Sequence, residues 1–124
     1  MELSKRKQVR VTGTAGATVD AIAVRAGCET WIYGMCAIAN NAAGTINVHE
    51  EGGAGTAAKE SGAMSPAAYG GWVMPPLPAN GACPQDDNPW LVIGAGKKAQ
   101  VACVTVAPNI LFIYRYYGPG AGDA

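Results

Sequence analysis

Short apolar runs rich in β-branched residues, each ended by glycine or proline, recur along the whole chain. The sequence holds 17 glycines and 8 prolines in 124 residues, and no window keeps a helical period behind a capping box. Runs of this length and composition are typical of β-strands. We therefore predict an all-β protein of about eight strands, at residues 8–12, 19–25, 31–39, 45–50, 71–74, 90–93, 99–106 and 110–117.

The alternation within these strands favours antiparallel pairing in a two-layer sandwich. In residues 45–50, Ile46 and Val48 point to one side and His49 to the other, which predicts one buried and one solvated face. Residues 106–110 read VAPNI, and the Pro-Asn pair is typical of a tight turn. We therefore expect the last two strands to form a hairpin.

Two strands are apolar on both sides, although a sandwich buries only one side of each strand. Strict alternation in residues 31–38 predicts one face with Ile32, Cys36 and Ile38. The same rule places on the other face Trp31, Tyr33, Met35 and Ala37. The final strand repeats the feature. The second face requires cover, either from a loop of the same chain or from another subunit.

The length of the chain predicts one domain, and its charge distribution predicts a basic N-terminal segment. A chain of 124 residues fits a single core, and 49% hydrophobic but only 7% aromatic residues make that core thin, so oligomerisation could supplement it. The net charge of zero argues against attraction to nucleic acid or to a membrane surface. We expect a basic arm and first strand at residues 1–18, the sandwich at 19–118 and a flexible glycine-rich tail at 119–124.

The N-terminal sequence has no apolar segment typical of a secretory signal, and no apolar run is long enough to span a bilayer. We therefore expect a protein made in a cytoplasm. The four cysteines, Cys28, Cys36, Cys83 and Cys103, lack CxxC spacing, which argues against zinc. Disulfide pairing stays open at this point.

Six of the eight prolines lie between Ser65 and Pro89. Proline cannot donate to a strand ladder, so residues 65–89 are predicted to hold a long ordered loop or a polyproline-like arm around the short strand at 71–74. The segment also carries large apolar side chains that require a surface to pack against, namely Tyr69, Trp72, Met74 and Leu77.

No catalytic or cofactor-binding arrangement is recognisable. The GxGxxA spacing at Gly53, Gly55 and Ala58 follows a one-sided strand that ends in carboxylates, which is unsuitable for a dinucleotide. The GAGKK sequence at residues 94–98 lacks the first glycine and the Ser or Thr of a phosphate-binding loop and reads as a turn. His49 is predicted to be a surface residue, and Asp86, Asp87 and Asn88 a solvated turn. We expect no enzyme, no cofactor and no metal.

Three stretches carry a resemblance to a known class of proteins. They are "YGMCAIANNAAGTINVHE", "SGAMSPAAYGGWVMPP" and "NPWLVIGAGKKAQVACVTVAPNILFIYRY". Together they resemble small virion proteins of tailed bacteriophages that decorate or cement the capsid, over residues 32–117. The basic N-terminal arm and the proline-rich insertion before Asn88 depart from that pattern.

The resemblance implies a jelly-roll or related β-sandwich on the outer surface of a phage head, often as a homotrimer that bridges major capsid proteins. On this interpretation we assign subunit contacts to Trp31, Tyr33, Met35, Trp72, Met74 and Leu77. We assign capsid contacts to Lys5, Arg6, Lys7 and Arg10. The alternative is a carbohydrate-binding module of a phage fibre, with Tyr69, Trp72 and Trp90 as a stacking platform and residues 86–88 as hydroxyl partners.

Overall fold

The computed structural model describes residues 1–52, 59–75 and 88–123 of the chain. Over these residues the protein is all-β, as predicted, with nine strands, a 3₁₀ turn at Ala121–Asp123 and no α-helix. The strands are β1 (Glu2–Leu3), β2 (Lys7–Thr12), β3 (Thr18–Ile22), β4 (Glu29–Ile38), β5 (Thr45–Glu50), β6 (Gly71–Met74), β7 (Leu91–Ile93), β8 (Ala99–Val104) and β9 (Asn109–Gly118).

The strands form two antiparallel sheets around one apolar core. In the larger sheet, β9 and β4 are central; β1 and β2 pair with β9, and β6 and β7 pair with β4. The smaller sheet has the order β3, β8, β5, and residues 59–64 run beside β5. The chain alternates between the sheets: β2 and β4 belong to the larger sheet, and β3 and β5 belong to the smaller one. It crosses again from β8 in the smaller sheet to β9 in the larger. This arrangement of two antiparallel sheets is compatible with a β-sandwich.

The last two strands do not form the expected hairpin, because β8 belongs to the smaller sheet and β9 to the larger. Residues 105–108 carry the chain from one sheet to the other. The backbone turns at Thr105, which has a φ of 70°. The Ala107 N–H donates to Asn40 Oδ1 at 3.2 Å, and the Pro108 carbonyl accepts from the Gly13 N–H at 2.8 Å. A Pro-Asn turn signal is local, and it does not distinguish a hairpin from a crossing between sheets.

Strand β4 changes its buried side at Tyr33. Ile32 faces the core before this position and Met35 faces it afterwards, because the register against β9 shifts between Ile32 and Gly34. One extra residue on one strand is a β-bulge, and it reverses the alternation beyond it. The predicted grouping of Ile32 with Cys36 on one face was therefore wrong, and Cys36 lies exposed on the side away from the core.

The first residues are not a free arm. Both β1 and β2 pair with β9, and between them the Ser4 N–H donates to the Tyr116 carbonyl at 2.9 Å. The Ser4 hydroxyl in turn accepts from the Tyr116 N–H at 2.9 Å. These backbone contacts attach the basic segment to the larger sheet.

The glycine-rich segment after β9, predicted to be a flexible tail, forms the 3₁₀ turn at Ala121–Asp123 and contacts the rest of the fold. Ala121 is fully buried, and Arg25 donates to the Gly120 carbonyl at 2.9 Å. The Gly122 N–H donates to the Glu2 carboxylate at 3.1 Å. The segment is held mainly through its backbone groups. Its sequence, which has few side chains able to pack, does not indicate these contacts.

Strand β5 does not present the solvated face that its alternation predicts. His49 is fully buried, and its Nδ1 donates to the Glu50 carbonyl at 2.6 Å. The strand is not an edge, because residues 59–64 return beside it and Glu60 forms a β-bridge with His49. Burial of His49 therefore depends on contacts distant in sequence.

Candidate binding surface

The side of the larger sheet that faces away from the core carries an apolar row across three strands, which ends at an arginine on a fourth. Val73, Cys36, Leu111 and Arg10 are successive cross-strand partners on β6, β4, β9 and β2. Val73 is 46% exposed, and Ile38 on the same side of β4 is 57% exposed. A solvated sheet face normally carries polar side chains at such positions, so this row is unusual for a surface.

Two open depressions, of about 260 and 420 Å³, join along this row because both are lined by Cys36 and Leu111. We call their union the outer groove. Its lining consists of Arg6, Arg10, Tyr33, Gly34, Met35, Cys36, Ile38, Val73, Met74, Pro75, Asn109, Ile110, Leu111 and Ile113. The charged side chains in this lining are two arginines, and none of the described residues that line it is a carboxylate.

The bulge of β4 shapes the floor of the outer groove. Gly34 pairs with Ile113 on the outer side of the sheet. A Cβ at Gly34 would meet the Met74 carbonyl oxygen at 3.2 Å, which is closer than most Cβ contacts. Glycine at this position leaves room between β4 and the end of β6, and this room forms part of the depression.

Tyr33 is only 4% exposed, although it is not one of the side chains of the central core. Two guanidinium groups lie over its ring, and the Cζ atoms of Arg6 and Arg115 are each 5.8 Å from the ring centroid. Cation–π attraction at this distance stabilises the arrangement. The bulged residue is therefore buried on the outer side of the sheet, beneath side chains from two other segments.

The opposite end of β4 carries an aromatic pair. Trp31 stacks on Tyr117 with 4.6 Å between ring centroids and an interplanar angle of 24°. The indole Nε1 of Trp31 donates to the Glu29 carboxylate at 3.1 Å. Both rings are half-buried, so part of each remains available to another molecule.

The predicted subunit-contact residues divide between the two sides of the larger sheet. Met35 is 3% exposed in the core, and Trp72 and Met74 pack against that core. Trp31 and Tyr33 lie on the outer side. Leu77 lies outside the described residues. The bulge explains why Met35 does not share a face with Trp31.

The structure brings two of the predicted capsid-contact residues to the outer groove. Arg6 and Arg10 are exposed and line it. Lys5 is exposed and Lys7 is half-buried, and neither lines the groove. The groove residues Leu111, Ile113 and Val73, together with Arg115 over Tyr33, were not predicted individually. The apolar second face of residues 110–117 indicated Leu111 and Ile113, whereas nothing local indicated Arg115.

The aromatic platform proposed for carbohydrate binding is not assembled on one surface. Trp72 and Trp90 pack against the core, whereas Tyr69 is 77% exposed in a turn. Asn88 is exposed, and Asp86 and Asp87 lie outside the described residues. The three rings therefore differ in exposure and in what they contact.

The glycine-rich sequence at residues 94–98 lies beside the end of β5. Residues 94–98 form a turn, and the Gly94 N–H donates to the Glu50 carboxylate at 3.1 Å. The Lys98 N–H donates to the Glu51 carboxylate at 2.8 Å. The carboxylates that end β5 thus bind the turn between β7 and β8. Gly53, Gly55 and Ala58 lie outside the described residues.

Three cysteines of the described segments are free: Cys28 and Cys103 are buried, and Cys36 is exposed. Burial raises the pKa of the Cys103 thiol. Cys83 lies outside the described residues. In residues 1–52, 59–75 and 88–123 no group of three or more His, Cys, Asp or Glu side chains is placed to hold a metal ion. The same segments contain no helix of the length and hydropathy needed to cross a membrane.

Comparison with protein-family models, with curated protein sequences and with solved structures gave no match.

Proposed function

We propose that the protein is a structural component of a bacteriophage virion that binds the outer surface of the capsid and bridges neighbouring major capsid subunits. The observation that carries this proposal is the outer groove, with its apolar strip across three strands on the face away from the core. Exposed apolar strips of this kind are typical of protein-binding surfaces. The sequence resemblance supplies the class of partner.

Attachment would stabilise a shell by burying apolar surface. Each Å² of apolar area removed from water contributes about 25 cal/mol, so Val73, Ile38 and Leu111 would add to the cohesion of the subunits they bridge. A ligand that binds only the assembled state stabilises that state by mass action. Packaged DNA pushes outward on a phage head, and the added contacts must break before subunits separate.

The fold is compatible with this role. Jelly rolls occur in viral capsid proteins and in lectins, among others, and one fold hosts many functions. Two of the basic residues first assigned to capsid contacts, Arg6 and Arg10, lie at the outer groove. This convergence of charge and apolar surface favours protein binding, whereas the separation of Tyr69, Trp72 and Trp90 does not favour glycan stacking.

We also propose that the protein acts as a homo-oligomer, with a trimer favoured. The Trp31 and Tyr117 stack is the candidate subunit contact, because its half-buried rings lie on the outer side of the sheet. Trp and Tyr are enriched at interfaces for this combination of a large apolar surface and a polar tip.

The test is sedimentation of the purified chain with empty heads of its phage that lack it, after light scattering has measured its molar mass. We expect saturable co-sedimentation. Val73→Glu should weaken it at least about tenfold, because a charge would enter the apolar strip. Val104→Glu is the matched control, because Val104 is 59% exposed on the smaller sheet. Absence of co-sedimentation, or equal effects of both substitutions, would contradict the proposal.

A further inference from the structure

The outer groove has the dimensions of an extended peptide rather than of a compact ligand. From Val73 to Arg10 the row crosses three strand spacings of about 4.8 Å, or about 14 Å, which matches about five residues of extended chain at roughly 3.3 Å per residue. Both depressions open to solvent along their length. Small-molecule sites usually enclose most of their ligand, whereas extended peptides occupy open grooves and place alternate side chains in pockets.

The charge of the groove restricts the occupant. Arg10 is exposed at the end of the apolar row, next to Leu111 across the strands. Arg6 lines the other depression, and within residues 1–52, 59–75 and 88–123 no carboxylate lines either one. A second copy placed face to face would bring the same arginines against one another, which costs free energy. A segment with carboxylates beside apolar side chains complements both features.

We propose that the outer groove binds an extended segment of the shell protein that carries apolar side chains and at least one Asp or Glu, with its carboxylate beside Arg10. The apolar side chains of the segment pack on Cys36, Leu111 and Val73. This inference rests on the proposed function and specifies which part of the shell the protein recognises: a mobile or extended stretch of chain rather than a flat domain surface.

Photo-crosslinking on decorated heads tests the location. Ile38→p-benzoylphenylalanine places the reactive group at the groove, because Ile38 is 57% exposed there. The same amino acid at Val104 is the control on the smaller sheet. We expect the Ile38 variant to crosslink to a single segment of the major capsid protein that contains apolar and acidic residues, and the Val104 variant to give none of that product.

Three outcomes would overturn the inference. They are a crosslink from position 38 to a second copy of this chain, a crosslink to a segment without acidic residues, and no crosslink while the heads remain decorated. In each of these cases the protein would still bind the capsid, but the outer groove would not be the site that binds an acidic segment of the shell protein. Failure of the unsubstituted chain to bind heads would instead remove the proposed function and this inference with it.

Charge reversal tests the carboxylate. Arg10→Glu should weaken binding to heads about five- to tenfold at low salt and less at high salt, because salt screens an exposed ion pair. Arg10→Lys keeps the charge and should stay within about twofold of the unsubstituted chain. Equal binding by Arg10→Glu, with circular dichroism showing the same folded state, would exclude an acidic occupant at this end.

Discussion

The Glu50 carboxylate accepts a hydrogen bond from the Gly94 N–H at 3.1 Å, which connects the end of β5 to the turn between β7 and β8. Glu50 is only 3% exposed, and its second oxygen lies 3.7 Å from the Lys97 ammonium group. A buried carboxylate is tolerated when donors and a cation compensate for its lost hydration. The contact therefore holds the turn that leads from β7 in the larger sheet to β8 in the smaller sheet against the end of β5.

Removal of this carboxylate should destabilise the fold. We expect Glu50→Ala to lower the free energy of unfolding by about 1 to 3 kcal/mol, because the Gly94 N–H loses its acceptor. Urea denaturation followed by circular dichroism measures the change. Lys97→Met is the control, since that ammonium group is half exposed and its loss should have a much smaller effect. A larger effect of Lys97→Met would show that the ion pair, not the backbone contact, is dominant.

Gly44 lies against the connection between β8 and β9. A Cβ at this position would clash with the Val104 carbonyl oxygen and lie 2.8 Å from the Val106 nitrogen. Both atoms belong to the backbone, so Gly44→Ala requires a shift of the chain and should cost about 2 to 4 kcal/mol. Thermal unfolding measures the loss. Gly71→Ala is the matched control, because its nearest contact is an ordinary 3.7 Å, and a similar loss there would contradict the steric explanation.

Tyr116 should make stability depend on pH in the alkaline range. Burial, reinforced by the neighbouring Tyr114, raises the pKa of Tyr116 to about 12 from an ordinary value of 10. The folded state therefore favours the neutral phenol, which donates to the Ala23 carbonyl at 2.8 Å. This contribution is complete below pH 10 and is lost as the pH rises from 10 towards 12.

Alkaline titration of phenolate absorbance, compared between the unsubstituted chain and Tyr116→Phe, isolates this group. We expect the difference spectrum to show one tyrosine that ionises near pH 12 while the chain is folded. Chemical denaturation at several alkaline pH values should show a decline in stability that Tyr116→Phe lacks. A difference spectrum with its midpoint near pH 10 would exclude this role of burial.

The thiols should differ in reactivity. Cys36 is exposed in the outer groove, whereas Cys28 is 1% and Cys103 2% exposed. In a Cys83→Ser background we expect one thiol to react rapidly with an aromatic disulfide reagent and the other two only after denaturation. The Cys36→Ser, Cys83→Ser double variant should show no rapid reaction. Rapid labelling of that double variant would mean that the core opens around Cys28 or Cys103.

Local pattern predicted the strands better than the surfaces. The bounds Thr45–Glu50 and Gly71–Met74 follow directly from short apolar runs ended by glycine and proline. Strand β1 escaped prediction because a strand of Glu2 and Leu3 has no detectable alternation. Its formation depends on the edge of β9, which becomes available only in the folded chain.

The outer groove could be predicted only in part. Two-sided apolarity in residues 110–117 indicated that the sheet has a second apolar face, and the structure confirms this for Leu111 and Ile113. On β4, the bulge at Tyr33 changes which side chains lie on the outer face. The sequence did not predict this bulge, because a register shift depends on the partner strand. Arg115 over Tyr33 is a contact between residues distant in sequence, and a single sequence holds no signal for it.

The contact between Glu2 and the Gly122 N–H places residues 2 and 122 side by side, on β1 and beyond β9. A short flexible linker could therefore join residue 2 to residue 122, and new ends could be opened in another exposed loop. Such a circular permutant would keep both sheets. For display, peptides attached beside residue 2 and beside residue 122 would emerge from the same corner, so two different cargoes could be presented together by one copy.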